Sequence, residues 1–167
     1  MHDPQALLPI LRHLNRGMPM FTDLVLASAH HVLIFLLAAI IATEAAMIRP
    51  GLSAAGVKRL SRIDAYYGAI AVLVILVGIG RIIFGLKGWE AYIYNWAFWS
   101  KMAAFVAVGL LSVRPTLQIR KWRMSADEEG FTVPTKEIAA TRGFIIAQGA
   151  IFPLIPIFAA TMARYGY

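Results

Sequence analysis

The sequence contains no cysteine. This absence excludes disulfide frameworks, thiolate metal sites, iron–sulfur clusters and cysteine nucleophiles. Charged residues are also scarce, at 15% of the chain, whereas a typical soluble domain has about 25%. Hydrophobic residues make up 59% and the mean hydropathy is +0.67, so the composition favours a membrane protein over a water-soluble domain.

The remaining charge is mostly positive, with a net charge of +7. A basic chain can bind nucleic acid, but here the Lys and Arg residues lie mostly between apolar runs. In that position they orient helices in a bilayer. We therefore expect the lipid bilayer as a partner and no nucleic acid.

Four apolar stretches are each long enough to cross roughly 30 Å of hydrocarbon, which takes about 20 residues. We expect spans at about residues 21–48, 64–86, 97–117 and 138–164. The predicted fold is an all-α integral membrane four-helix bundle, with residues 21–167 as the transmembrane domain. Residues 1–20 are predicted to be an interfacial N-terminal segment that contains a short amphipathic helix, because Leu7, Leu8, Leu11 and Leu14 lie near one face.

Positive residues predict the orientation of the bundle. The connections at 49–62 and 114–137 are rich in Lys and Arg, whereas the connection at 87–96 is rich in Trp and Tyr. Since Lys and Arg stay on the cytoplasmic side, both termini are predicted to be periplasmic. We expect a multi-pass protein of the bacterial inner membrane.

Polar residues within the spans fall into two predicted layers. Ionisable groups at this depth are costly and each requires a partner or a purpose. The inner layer is expected to be an ion-pair network that fixes helix ends, formed by Glu44, Asp64, Arg142 and the nearby Arg62. The outer layer is expected to contain two histidines, two cations and aromatic rings: His30, His31, Arg81, Lys101, Tyr67 or Tyr92, Trp89, Trp96 and Trp99.

The outer layer has cations but no carboxylate at its depth, which suggests that an anionic ligand is missing. Haem b fits this description, because an imidazole can bind the iron while Arg81 and Lys101 neutralise the propionates. His31 or His30 is the predicted axial ligand, and Tyr67 and Trp99 are predicted to contact the porphyrin. The second ligand is left open between His13, Met102 and a group from the partner subunit of a homodimer.

This hypothesis predicts a membrane b-type haem protein for electron transfer or redox sensing near the periplasmic face. Its partners would be a quinone or a periplasmic redox protein, and any enzyme activity would be that of a haem-dependent oxidoreductase. One alternative is a non-enzymatic protein that binds anionic lipid or a membrane partner through the same cations. Another is a proton or ion permease. Zinc fits poorly, because its structural sites need about four ligands.

Several motifs in order resemble the DUF2214 family of four-helix bacterial inner-membrane proteins, whose function is unassigned. The motifs are AHHV at 29–32, RLSRIDAYYG at 59–68, GRIIFGLKG at 80–88, FWSKM at 98–102 and LSVRPT at 111–116. The resemblance implies the same four-span architecture and a polar layer common to the family. Family members often have histidine where this chain has Tyr94, so the resemblance does not supply a ligand from that loop. A looser likeness, to membrane haem proteins that oxidise protoporphyrinogen, rests on a membrane histidine and a lysine near the start of a later span.

Overall fold

The computed structural model describes residues 8–84 and 90–165, and for residues 8–19 and Ala91 it describes the backbone alone. This part of the chain is helical without strands. The six helices are α1 (Leu8–Met47), α2 (Ala54–Phe84), α3 (Glu90–Ile93), α4 (Trp96–Ser125), α5 (Thr135–Ile151) and α6 (Leu154–Arg164). Four segments are long and apolar enough to cross a membrane: Met20–Met47, Ala54–Phe84, Trp96–Ser125 and Thr135–Arg164. The predicted all-α, four-span membrane fold is confirmed.

The N-terminal residues do not form a separate surface helix in the described part of the chain. The predicted amphipathic helix is helical from Leu8, but α1 continues from there to Met47 without a break. Met18 and Met20 favour helix, and a proline such as Pro19 is tolerated in a helix that enters a membrane. The predicted boundary at residue 20 therefore does not coincide with a helix end.

Two spans are longer than the sequence predicts. Helix α2 begins at Ala54 instead of residue 64, because its first turns carry charges that end an apolar run without ending a helix. Helix α4 continues through Pro115 to Ser125 instead of ending near residue 117. Hydropathy locates the part of a helix that lies in lipid, and these helices extend beyond that part.

The fourth span is broken at Phe152 and Pro153, because a proline inside a helix removes a backbone hydrogen bond. Helix α5 ends with the Phe152 amide donating to the Gln148 carbonyl at 3.0 Å, and α6 begins directly after Pro153. Pro156 lies in the first turn of α6, where a missing amide hydrogen costs nothing.

Helices α1 and α2 pack against each other, and α4 packs against α2, α5 and α6. Buried aliphatic side chains from these helices form one core, including Leu37, Leu60, Val108 and Ile145. Many large apolar side chains face outward instead, for example Phe35 at 72% exposed and Leu110 at 69%. Such a surface is suited to lipid and not to water.

The two ends of the bundle differ in composition. The basic end contains the connections 48–53 and 126–134, where Lys58 donates a hydrogen bond to Asp127. This hydrogen bond holds the pKa of the Asp127 carboxyl below its usual range. The aromatic end contains α3 and the start of α4, where Asn95 caps α4 by accepting from the Ala97 amide at 2.9 Å.

Candidate functional site

A cleft lies between α1, α2, α4 and α6 near the aromatic end. It contains about 750 Å³ of space that atoms do not fill, part of it open to the surroundings. Its lining is mostly aliphatic and aromatic, with three basic side chains: His30, Arg81 and Lys101.

His30 projects from α1 into the space beside Gly78 of α2. A Cβ added at Gly78 would lie 3.4 Å from His30 Cε1, so the absence of a side chain there leaves room for the imidazole. The buried Nδ1 of His30 has no hydrogen-bond partner among the described residues. A buried imidazole nitrogen without a partner loses free energy, which a ligand at this position would restore.

His31 lies on a different side of α1. Adjacent helical residues point about 100° apart, so the two histidines cannot serve one site. His31 is exposed on the outer surface of the bundle, and its Nδ1 is 2.6 Å from the Ala27 carbonyl oxygen. The sequence left the choice between them open, and the structure brings only His30 to the cleft.

Two cations accompany His30 in the cleft lining. Lys101 lies over the Phe98 ring, with Nζ 5.3 Å from the ring centroid. Arg81 is half-buried, and its Nε is buried without a hydrogen-bond partner in the described part of the chain. The cation–π contact is worth about 0.5–2 kcal/mol and leaves the Lys101 charge uncompensated.

Acidic residues near this end do not neutralise those cations. Asp23 and Glu90 are the acidic residues that the structure describes at the aromatic end, and neither lines the cleft. Arg81 and Lys101 take no part in the ion pairs of the described residues. The cleft is therefore apolar with a local excess of positive charge, which suits an anionic and largely apolar ligand.

Some of the other predicted site residues line the cleft, and others lie outside it. Met102 lines the cleft with His30, and Tyr92 also lines it. Trp99 is 57% exposed and donates its indole N–H to the Ile93 carbonyl at 2.9 Å, outside the cleft. Tyr67 lies deeper in the bundle, where Gln148 Nε2 donates to its hydroxyl at 2.8 Å. The side chain of His13 and all of Trp89 lie outside the described residues.

The predicted inner ion-pair network does not form. Arg62 and Arg142 are exposed, and neither pairs with Glu44 or Asp64. Asp64 instead accepts a hydrogen bond from Thr116 at 2.7 Å. Long cationic side chains near the basic end extend outward from the bundle, which explains why they do not reach these carboxylates.

Sequence reasoning missed two contributions to the cleft. Phe98, one turn before Lys101 on α4, supports the lysine through its ring, and the three-residue spacing could have indicated this contact. Gly78 makes room for His30, but only the pairing of α1 with α2 reveals that role. Within the described residues, no three His, Asp or Glu side chains come together as a metal site.

The chain matches the family described as "Predicted membrane protein (DUF2214)" over residues 22–166. It belongs to this family. The DUF2214 match runs through all four spans, so the cleft lies within the region that defines the family. No curated protein and no solved structure matches the chain.

Proposed function

We propose that this DUF2214 protein is a membrane b-type haem protein that transfers electrons or senses redox state, with His30 as an axial ligand. The observation that supports this proposal is an apolar cleft in which an imidazole with an unpartnered Nδ1 lies with two cations that form no ion pair among the described residues. Haem uses every one of these features, because it is flat and apolar, binds imidazole through iron and carries two carboxylates. When bound, it supplies a one-electron iron couple.

The residues of the cleft suit the tasks that such a group requires. His30 can bind the iron, and Met102 is the candidate for the second position, since histidine with methionine is an established haem ligand pair. Arg81 and Lys101 can neutralise the propionates through charge-assisted hydrogen bonds. Phe98, Phe105 and the aliphatic lining exclude water from the remaining surface.

We further propose an orientation of the protein in the membrane. The basic end would face the cytoplasm of a bacterial inner membrane, because Lys and Arg stay on that side. The cleft would then lie in the periplasmic half of the bilayer, within reach of a quinone or a periplasmic redox partner. A homodimer would cover part of the exposed apolar surface of α1 or α2.

A second candidate is a protein that binds an anionic lipid in the cleft. The observation that favours it is the exposure of Ile75 and Ile79, which line the cleft and are 47% and 49% exposed. The cleft is therefore open sideways along α2, where acyl chains would enter from the bilayer. In this case Arg81 and Lys101 would hold the lipid phosphate.

The haem candidate predicts a coloured purified protein, whereas the lipid candidate predicts a colourless one. The decisive experiment records the visible spectrum of detergent-purified protein from haem-supplemented cells, oxidised and then reduced with dithionite. We expect a reduced α band that His30→Ala removes and that His31→Ala retains, since His31 is the matched neighbour outside the cleft. A colourless wild-type protein with co-purified phospholipid would exclude haem and support the lipid candidate.

A further inference from the structure

Polar side chains from all four spans meet in the half of the bundle nearer the basic end. This inner cluster consists of Glu44 of α1, Asp64 and Tyr67 of α2, Ser112 and Thr116 of α4, and Gln148 of α5. Two hydrogen bonds connect the helices, from Thr116 to Asp64 at 2.7 Å and from Gln148 to Tyr67 at 2.8 Å. Ser112 also interacts with the Tyr67 hydroxyl.

The pairing of α1 with α2 places Glu44 at the level of Asp64. His30 lies beside Gly78. Glu44 is fourteen residues after His30, and Asp64 is fourteen residues before Gly78 on the antiparallel helix. The two carboxyl groups therefore lie at one depth, close enough for the charge of Asp64 to act on Glu44.

Glu44 is the least satisfied member of the inner cluster. It is 3% exposed, and its Oε1 is buried without a hydrogen-bond partner among the described side chains and backbone. Asp64 is half-buried and already accepts from Thr116. An ionised Glu44 would thus keep an uncompensated oxygen inside the membrane, where an unpaired charge is unfavourable.

No cation of the described chain compensates Glu44. Helices α2 and α5 pack against α1, and their arginines nearest this depth, Arg62 and Arg142, are exposed. Lys58 of α2 is engaged with Asp127. On α4, the Arg114 guanidinium lies over the Phe144 ring at 5.4 Å.

The titratable groups that face Glu44 are then Asp64 and Tyr67, and neither supplies positive charge.

We propose that Glu44 is a proton-binding site inside the membrane, protonated at neutral pH, which exchanges its proton with the basic end by way of Asp64. A neutral carboxyl group needs no counter-charge, and protonation of Glu44 removes its repulsion with Asp64. The O–H bond on Glu44 forms with a proton from water at the basic end and breaks when the proton returns. No electron moves in this step.

The opposite route is closed by apolar packing. Between the inner cluster and the cleft, the spans contribute fully buried aliphatic side chains, among them Leu37 and Val108. A proton has no hydrogen-bonded path through such a layer. We therefore expect exchange through the basic end to be reversible uptake and release on one side of the membrane.

Carbodiimide labelling tests the proposal directly. Dicyclohexylcarbodiimide enters membranes and adds to a protonated carboxyl group, which transfers its proton to nitrogen as its oxygen bonds to the carbodiimide carbon. We expect mass spectrometry of the protein in lipid vesicles to locate the adduct on Glu44. Above the pH at which half of the Glu44 carboxyl groups are deprotonated, the yield of the adduct should fall on the order of tenfold per pH unit. Glu44→Gln, which has the shape of the protonated form, should lose the adduct while remaining folded.

Infrared spectroscopy is a second test, and it does not require the carbodiimide to reach Glu44. The infrared spectrum should contain a protonated-carboxyl band that Glu44→Gln removes and that Asp64→Asn shifts in its pH midpoint. Absence of both adduct and band in folded protein would overturn the proposal. Protection of Glu44 by sodium ions at constant pH would also overturn it, since the occupant would then be a metal cation. Neither readout needs a chromophore, so the haem proposal can fail without affecting this one.

Discussion

The cleft and the inner cluster are opposite in charge. The cleft has His30, Arg81 and Lys101 without an acid in its lining, and the inner cluster has two carboxyl groups without a base. Fourteen helical residues separate the two levels, a rise of about 21 Å, so the groups cannot neutralise each other. This difference underlies both proposals, an anionic ligand from outside the chain in the cleft and a proton in the inner cluster.

The largest expected effect comes from placing an acid in the cleft. Arg81→Glu removes one cation and gives Lys101 an internal partner, which should abolish the proposed affinity of the cleft for anions. We expect retention of the proposed haem, or of anionic lipid, to fall on the order of a hundredfold, equivalent to about 3 kcal/mol. Pigment content per protein, or bound phosphate, measures this change.

Arg62→Glu is the matched control for that substitution. It makes the same charge change on the same helix, but at an exposed position away from the cleft. Retention should stay at the wild-type level. Equal losses in the two variants would mean that net charge, and not the cleft, determines binding.

A smaller effect should follow from filling the space beside His30. Gly78→Leu places atoms where the imidazole lies, since even a Cβ there is 3.4 Å from Cε1. We expect about tenfold weaker haem retention, which is about 1.4 kcal/mol. Gly68→Leu is the control on the same helix, because a Cβ at Gly68 meets nothing within 4 Å. A normal visible spectrum for Gly78→Leu would mean that the pigment is not bound beside His30.

The inner cluster should be more sensitive to hydrogen bonding than the cleft is. Tyr67→Phe leaves the buried Gln148 amide without its acceptor at 2.8 Å, which should lower the free energy of unfolding by about 1 kcal/mol. Thermal unfolding in detergent measures the loss, while the visible spectrum should not change. A changed spectrum would show that Tyr67 communicates with the cleft after all.

The smallest effect concerns the link between Lys58 and Asp127 at the basic end. The pKa of Asp127 is lowered by the Lys58 hydrogen bond, so the folded pKa lies below the unfolded value of about 3.9. The stabilisation is complete above that pH and is lost as pH falls through the folded pKa. Lys58→Gln should lower the melting temperature slightly at neutral pH, and the difference from wild type should vanish in acid.

Arg59→Gln tests whether this effect is specific. Arg59 is the exposed neighbour of Lys58 and forms no ion pair among the described residues. Its melting temperature should follow that of the wild type at all pH values. If both variants lose stability equally, general charge balance at the basic end is responsible.

Hydropathy predicted the four spans because lipid exposure selects apolar residues directly. It predicted which face of a helix points into the bundle better than it predicted the depth of each residue in the membrane. Tyr67 and Gly78 share one helical stripe, yet eleven residues, about 16 Å of rise, place Tyr67 in the inner cluster and Gly78 at the cleft. The choice between His30 and His31 also required the partner helix, since periodicity within α1 alone gives no preference.

The inner layer was the least predictable part of the site. Opposite charges at similar sequence depth suggested ion pairs, but Arg62 and Arg142 extend outward from the bundle surface. The hydrogen bond from Thr116 to Asp64 joins residues 52 positions apart in sequence, and no local pattern signals it. Pairing between distant helices therefore decides which polar groups are satisfied and which remain available for a ligand.

The buried aliphatic layer that contains Leu37 and Val108 has an electrical consequence. Low polarity concentrates the membrane voltage in this layer, while the more polar inner half carries a smaller share of it. A charge that crosses the full field gains about 2.3 kcal/mol per 100 mV. A proton that reaches Glu44 from the basic end stops before this layer, so its binding should respond to only a fraction of that voltage.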